Sequence, residues 1–286
     1  MGIRVNTNVA SLNAQRHLYN TTVKFQKSME RLSSGMRINR SGDDAAGLAI
    51  SESLKSDIRA LQQASRNAAD GISLVQVAEG SLDEVNNILL RLRELAEQSA
   101  TETLGEDERT YLDSEFQELL QEIDRISTTA EFNGIMLLDG SSQILDVQVG
   151  IGTDAATSAV PIDLTQIISS DDLNLTFNTN PAIGVNILGT NGDTARAVIG
   201  LVEAATGTVS SVRSGFGAAQ NRLESSIRNI GMTAENLAAA NSRIRDVDVA
   251  LETSNMTSLQ ILQQAGVSIL SQSNMTSQLA LNLMGA

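Results

Sequence analysis

Nucleophilic, acid–base and metal chemistry each need particular side chains in pairs or clusters, and this 286-residue chain is poor in them. It has one histidine, His17, and no cysteine. A zinc site of Cys/His type is therefore excluded, as are disulfides, thiol chemistry and the usual nucleophile–base pairs. Three carboxylate clusters remain: Asp43/Asp44, Glu106/Asp107/Glu108 and Asp171/Asp172. None has a convergent second group in the sequence, and each reads as a helix cap, a helix start or a solvated turn. Ser210-Ser211 falls on a helical seam, and neither a phosphate-binding glycine loop nor HExxH occurs. His17 is expected to face a helix neighbour or water. The expectation is a chain that is not an enzyme and holds no cofactor and no metal, so its function must lie in its surfaces.

Charge is partitioned along the chain. Residues 1–42 carry seven basic side chains against one acid, Glu30; residues 43–252 carry 13 basic against 33 acidic; residues 253–286 carry none. A basic arm invites nucleic acid or an anionic membrane. A single-strand binder interleaves stacking aromatics, however, and the arm offers Tyr19 and Phe25 alone. No nucleic-acid partner is expected, and opposite charges instead keep the chain soluble while its two ends are unpaired. No membrane insertion is expected either, because no uninterrupted apolar run reaches about 18 residues. The segment Met1–Asn8 lacks the apolar stretch of a cleaved secretory peptide.

Long helices must carry these surfaces. Val5, Val9, Leu12, Arg16, Tyr19 and Val23 follow a 4,3 spacing, and so do Leu18, Thr22, Phe25, Met29, Leu32 and Met36. Two adjacent stripes suit contact with more than one neighbouring helix. Ser41-Gly42-Asp43-Asp44 reads as the cap of a second helix, which runs to about residue 100 with Gly71 and Gly80 as weak points. A third helix, about 106–128, carries Leu112, Phe116, Leu119, Ile123 and Ile126 on one face. Residues 130 to 190 hold both prolines, Pro161 and Pro181, and the short runs Asp146–Ile151 and Leu173–Phe177 read as strands. From Asp193 or Thr194 the helical period returns. Val198, Val202, Ala205, Val209, Val212, Phe216, Ala219 and Leu223 form one seam, extended after a phase slip by Ile227, Ile230, Ala234, Leu237, Asn241, Ile244 and Leu251.

The uncharged tail, residues 253–286, mixes aliphatic residues with Ser, Thr, Asn and Gln. Leu262, Ile269, Thr276 and Leu283 recur every seven, with Gly266, Ser273 and Ala280 between them. Such a segment is too polar for lipid and too uncharged for a lone surface helix. It fits a helix packed among others, where uncharged polar groups are satisfied without desolvating a full charge. The expected fold class is mainly α: a long antiparallel helical rod or coiled coil built from both chain ends, with a small β-hairpin region in the middle. The seam and subunit-contact positions are Val5, Val9, Leu12, Leu18, Phe25, Met29, Leu32, Leu259, Leu262, Ile269 and Leu283. Their burial, which one chain cannot complete by itself, would drive self-assembly.

The same residues carry a resemblance. MGIRVNTNV with Ser11-Leu12-Asn13-Ala14, ERLSSGMRINRSGDDAAGLAIS (30–51), LLRLRELAEQSA (from 89), EIDRIS (from 122), EFNG (from 131), QNRLESSIRNI, and SNMTSLQILQQAG (from 254) occur in order. Together, over roughly 1–140 and 200–272, they resemble bacterial flagellin, the subunit of the flagellar filament. The last residues, Leu281-Asn282-Leu283-Met284-Gly285-Ala286, depart from the Leu-rich end common in that family.

The resemblance implies an inner coiled-coil domain of residues 1–42 and 247–286. An outer helical rod would span 43–246, including the β region at about 130–190 but none of the large variable domains. It implies a secreted, extracellular homopolymer of many copies, exported by the flagellar type III apparatus and acting as a motility propeller. Implied partners are an export chaperone, the filament cap, hook-associated proteins and host innate immune receptors. By position, a plant receptor would read Asp43, Asp44 and Gly47, and a vertebrate Toll-like receptor would read Arg91, Leu95 and Glu115. A hook–filament junction protein, or a secreted adhesin or effector, is the alternative.

Overall fold

The computed structural model describes residues 8–140, 144–165, 168–175, 185–188 and 192–284, with no side-chain description for Ala155 or for 277–284. Among the described residues the chain is mainly α, with two small hairpins between its helical halves, as the periodicity predicts. By packing it divides into two compact units: Met1–Ser56 with Glu235–Ala286, and Asp57–Ala234.

The second unit contains most of α2 (Ala45–Ser99), all of α3 (Glu106–Thr129) and most of α5 (Asp193–Arg245). Leu82, Val85, Leu89, Leu92 and Ala96 of α2, Phe116, Leu120 and Ile123 of α3, and Val202, Val209, Phe216 and Leu223 of α5 share one buried core. The 4,3 spacing turns these side chains to one side of each helix, and each fully buried Leu or Phe stabilises the unit by about 1.5–3 kcal/mol. Gly71, expected as a weak point, sits inside an unbroken α2. A Cβ there would lie 3.1 Å from Val147 Cγ2 and 3.3 Å from Leu223 Cδ1, so the missing side chain lets a hairpin approach the helix.

That hairpin pairs β3 (Leu145–Gln148) with β4 (Ala159–Ile162), antiparallel, in the register Leu145↔Ile162 to Gln148↔Ala159, with the one-turn α4 (Ala155–Ser158) leading into β4. Pro161 is exposed in β4, where a two-stranded sheet leaves its missing N–H without consequence. The other hairpin joins β1 (Glu131–Phe132) to β2 (Ile135–Met136) through Asn133-Gly134. Both turn residues have positive φ, 52° and 79°, as a two-residue type I′ turn requires. The strand expected at Leu173–Phe177 is not formed over its described part. Leu173, Asn174 and Leu175 make a turn, with Asn174 at φ 55°. Leu173 N–H donates to Ser169 O and Leu175 N–H to Ser170 O. Asp124 on α3 holds this turn by accepting from Ser170 N–H at 2.7 Å and Oγ at 2.9 Å. Leu173 and Leu175 are thereby buried without a sheet partner. Phe177 and Pro181 lie outside the described residues.

The first unit is built from the two chain ends. α1 (Val9–Ser34) packs on α6 (Val249–Met284) in antiparallel sense, Ser28 lying by Glu252 and Asn8 by Ser273. Asn8 Oδ1 caps α1 by accepting from Ser11 N–H at 3.0 Å, and Gly35, at φ 71°, ends it in the left-handed conformation. The phase slip at Ile227 lies inside an unbroken α5, and the seam read as continuing to Leu251 is interrupted instead at Arg245, where α5 stops. Asp248 Oδ1 then caps α6, accepting from Ala250 N–H at 3.0 Å and Leu251 N–H at 3.1 Å.

Candidate assembly surface of the terminal helices

The two connectors of the first unit run side by side. Arg37 N–H donates to Arg245 O at 2.6 Å, and Val247 N–H to Gly35 O at 3.0 Å. The Arg37 guanidinium also donates to Ile244 O at 2.6 Å. Glu52 meets Arg245 at 2.6 Å, and Ser51 Oγ donates to Asn241 Oδ1 at 2.8 Å. Backbone polar groups in these connectors thus find partners that a free loop would leave to water.

Within α1 the two stripes have different fates. Leu18, Thr22, Phe25 and Leu32 are half-buried on the face turned to α6. Val9, Leu12, Tyr19 and Val23 are exposed, Leu12 at 56% and Tyr19 at 70%. Met29 is also largely exposed, and His17 faces solvent. Val5 lies outside the described residues.

In α6 the face toward α1 is Glu252, Met256, Leu259, Gln263, Gly266, Leu270 and Ser273, again at 4,3 spacing. Leu262 and Ile269 lie off this face, 57% and 60% exposed, alongside Ile261, Val267 and Met275. The side chain of Leu283 lies outside the described residues. The pair therefore leaves large apolar side chains exposed on both helices.

Sequence reasoning missed what fills the seam between the two helices. Ser11 and Ser28 are the buried residues of α1. Ser28 Oγ donates to Glu252 Oε1, and Arg31 stands 3.7 Å from the same carboxylate. Gln263 Nε2 donates to Thr22 Oγ1 at 3.4 Å, Ser11 Oγ to Asn274 Oδ1 at 2.9 Å, and Asn8 Nδ2 to Ser273 O at 3.0 Å. Glu252, the last charged residue of the chain, was the available signal.

Asp43, Asp44 and Gly47 do structural work in the turn before α2. Asp43 accepts from the N–H groups of Asn39 and Arg40, both at 3.2 Å, and pairs with Lys27 Nζ at 2.6 Å. The Lys27 ammonium, then the Arg40 and Asn39 amides, hold its carboxyl down to about 2. Asp44 Oδ1 accepts from Gly47 N–H at 2.9 Å. In the second unit, Arg91 is exposed and bridges Glu115 at 2.8 Å and Glu94 at 2.9 Å. Leu95, one turn on, is fully buried in the core, so the surface carries Arg91 and Glu115 without it.

Residues 5–143 match the family model described as the bacterial flagellin N-terminal helical region, and residues 199–284 match the bacterial flagellin C-terminal helical region. The chain is 45% identical over 280 residues to a flagellin of Halalkalibacterium halodurans, covering 98% of this chain and 99% of that protein. It is 41% identical over 297 residues to the flagellar filament 33 kDa core protein of Treponema phagedenis, again covering 98% and 99%. Among solved structures it is similar to the crystal structure of Bacillus cereus flagellin, at 30% identity and a TM-score of 0.48 over 62% of this chain and 94% of that one. Both helical halves match, and a relative aligns almost end to end at 45% identity: the chain belongs to the bacterial flagellin family.

Proposed function

We propose that this chain is the structural subunit of a flagellar filament and polymerises through its terminal helices. The carrying observation is the uncovered apolar surface of the α1–α6 pair, with Leu12, Tyr19, Leu262 and Ile269 each more than half exposed. Burying such side chains against further copies supplies the driving force, at roughly 25 cal/mol per Å² of apolar surface removed from water. The seam positions Val5, Val9, Leu12, Leu18, Phe25, Met29, Leu32, Leu259, Leu262, Ile269 and Leu283 then serve either the pair itself or its contacts with neighbours. In this reading residues 1–42 and 247–286 form the inner coiled-coil domain, and 43–246 the outer one.

The filament is extracellular and turns as a propeller, and its subunits leave the cell through the flagellar type III apparatus. An export chaperone, the filament cap and hook-associated proteins handle the chain on that route. Innate immune receptors read it as a free chain: the plant type at Asp43, Asp44 and Gly47, the Toll-like type at Arg91 and Glu115 with Leu95 supporting from beneath. The charge partition and the name of the Treponema phagedenis relative, a flagellar filament core protein, support the reading.

Deleting residues 253–286 tests it. The truncated chain is expected to keep the helical second unit and to form no polymer on filament seeds in electron micrographs. Normal filaments from that truncation would overturn the proposal.

A further inference from the structure

The seam between α1 and α6 mixes polar side chains with aliphatic ones. Facing α1 are the polar or small Glu252, Gln263, Gly266 and Ser273 together with Met256, Leu259 and Leu270, while Ile261, Leu262, Val267 and Ile269 point elsewhere. Hydrophobic burial alone does not choose this rotation, since turning α6 by about 100°, one residue, would bring Leu251, Leu262 and Ile269 inward in exchange for Met256, Leu259 and Leu270. Burial is also indifferent to sliding. Seam residues on both helices recur at heptad spacing, so a slip of seven residues again sets small and aliphatic side chains against each other.

What distinguishes the observed arrangement is a set of pairs between unlike polar groups. The Ser28 hydroxyl, 2% exposed, donates to the Glu252 carboxylate, itself 9% exposed, and Arg31 balances that charge. The contacts of Thr22 with Gln263, Ser11 with Asn274 and Asn8 with Ser273 follow at the other levels. A slipped α6 would move Glu252 away from Ser28 and Arg31 and bury its carboxylate uncompensated in the seam, and a rotated one would turn Glu252 out to water and leave the buried Ser28 hydroxyl without its acceptor.

We propose that Ser28, Arg31 and Glu252 are positioning residues that set the register and rotation of α6 on α1, holding Leu262 and Ile269 outward. Their effect on assembly rests on the filament reading. Their effect on register is a property of the free chain and is measured separately.

The absence of cysteine makes the register directly readable. A Cβ on Gly266 would lie 3.8 Å from Leu18 Cβ, the usual Cβ–Cβ separation of a disulfide. Full-length chains carrying Leu18→Cys with Gly266→Cys report the observed register. Leu18→Cys with Leu259→Cys, or with Ser273→Cys, reports a slip of one heptad either way. Each pair is oxidised at a dilution that keeps links within one chain and is scored on a non-reducing gel, with circular dichroism alongside.

With Ser28 and Glu252 intact, the Gly266 pair should close in preference to the slipped pairs by about tenfold or more, the factor that corresponds to one buried charged hydrogen bond. With Ser28→Ala and Glu252→Leu together, helix content should hold while slipped links rise to within about twofold of the Gly266 link. Glu252→Gln, which still accepts from Ser28, should restore the preference. An undiminished Gly266 preference in the double variant overturns the proposal, and so does loss of all three links, which would make the contact a requirement for pairing rather than for register. In seeded growth the double variant should elongate more slowly than the parent. Equal growth with a scrambled register would contradict the filament reading while leaving the register assignment intact.

Discussion

Gly47 lies so close to Ile38 that a Cβ on the glycine would stand 2.9 Å from Ile38 Cδ1 and 2.5 Å from Asp44 Oδ2. Ile38 is 1% exposed, and Asp44 is held by its bond to Gly47 N–H. The turn before α2 thus closes over one missing side chain.

Gly47→Ala should therefore push the Asp44 carboxylate off its cap and force Ile38 from its place. The expected loss is about 1–2 kcal/mol, seen as a lower melting temperature. Gly80→Ala is the contrast. A Cβ at Gly80 meets nothing within 4 Å inside α2, so that variant should gain about 0.5–1 kcal/mol from helix propensity alone. Equal effects at the two sites would contradict the packing described for the turn.

Acid should loosen the same turn. Asp43 is held down to about 2 by Lys27 and by the amides of Arg40 and Asn39, below an ordinary value of 3.8. A depressed carboxyl contributes stability above its unfolded-state value and loses it as pH falls through its folded value. The melting difference between parent and Asp43→Asn should be full near pH 6, shrink below about pH 4 and be mostly lost by about pH 2. A difference that does not change from pH 6 to pH 2 would contradict the assigned contacts.

Phe116 is fully buried in the core of the second unit. Phe116→Ala should cost about 3–5 kcal/mol through lost transfer and the cavity left behind, measured by urea unfolding. A loss under 1 kcal/mol would mean that the core closes over the site.

The helices were legible because their cores follow one period. Val198 to Leu223 in α5 and Phe116 and Ile123 in α3 need only their spacing to be placed inward. Leu173–Leu175 is no strand because alternation describes one only when a partner exists; here backbone bonds to Ser169 O and Ser170 O close a turn, which Asp124, 46 residues from Ser170, anchors. In the terminal helices periodicity located the stripes but not the inward face. Leu262 and Gln263 are neighbours in sequence, and only the partner at the other end of the chain distinguishes them: Gln263 faces α1 and donates to Thr22 Oγ1, while Leu262 is exposed. Spacing likewise puts Leu95 one turn from Arg91 without showing that Leu95 is buried while Arg91 is exposed, because the buried stripe of α2 packs in one core with α3 and α5.

The central claim is that the exposed faces of α1 and α6 are assembly surface rather than part of the fold. It is tested most directly by seeded elongation of a chain carrying Leu262→Asp and Ile269→Asp, followed by light scattering beside its melting curve. Both side chains are more than half exposed, so stability should stay within about 1 kcal/mol of the parent. Elongation should stop, because each new contact would desolvate a carboxylate without a partner. Parental elongation by that folded variant would contradict the account.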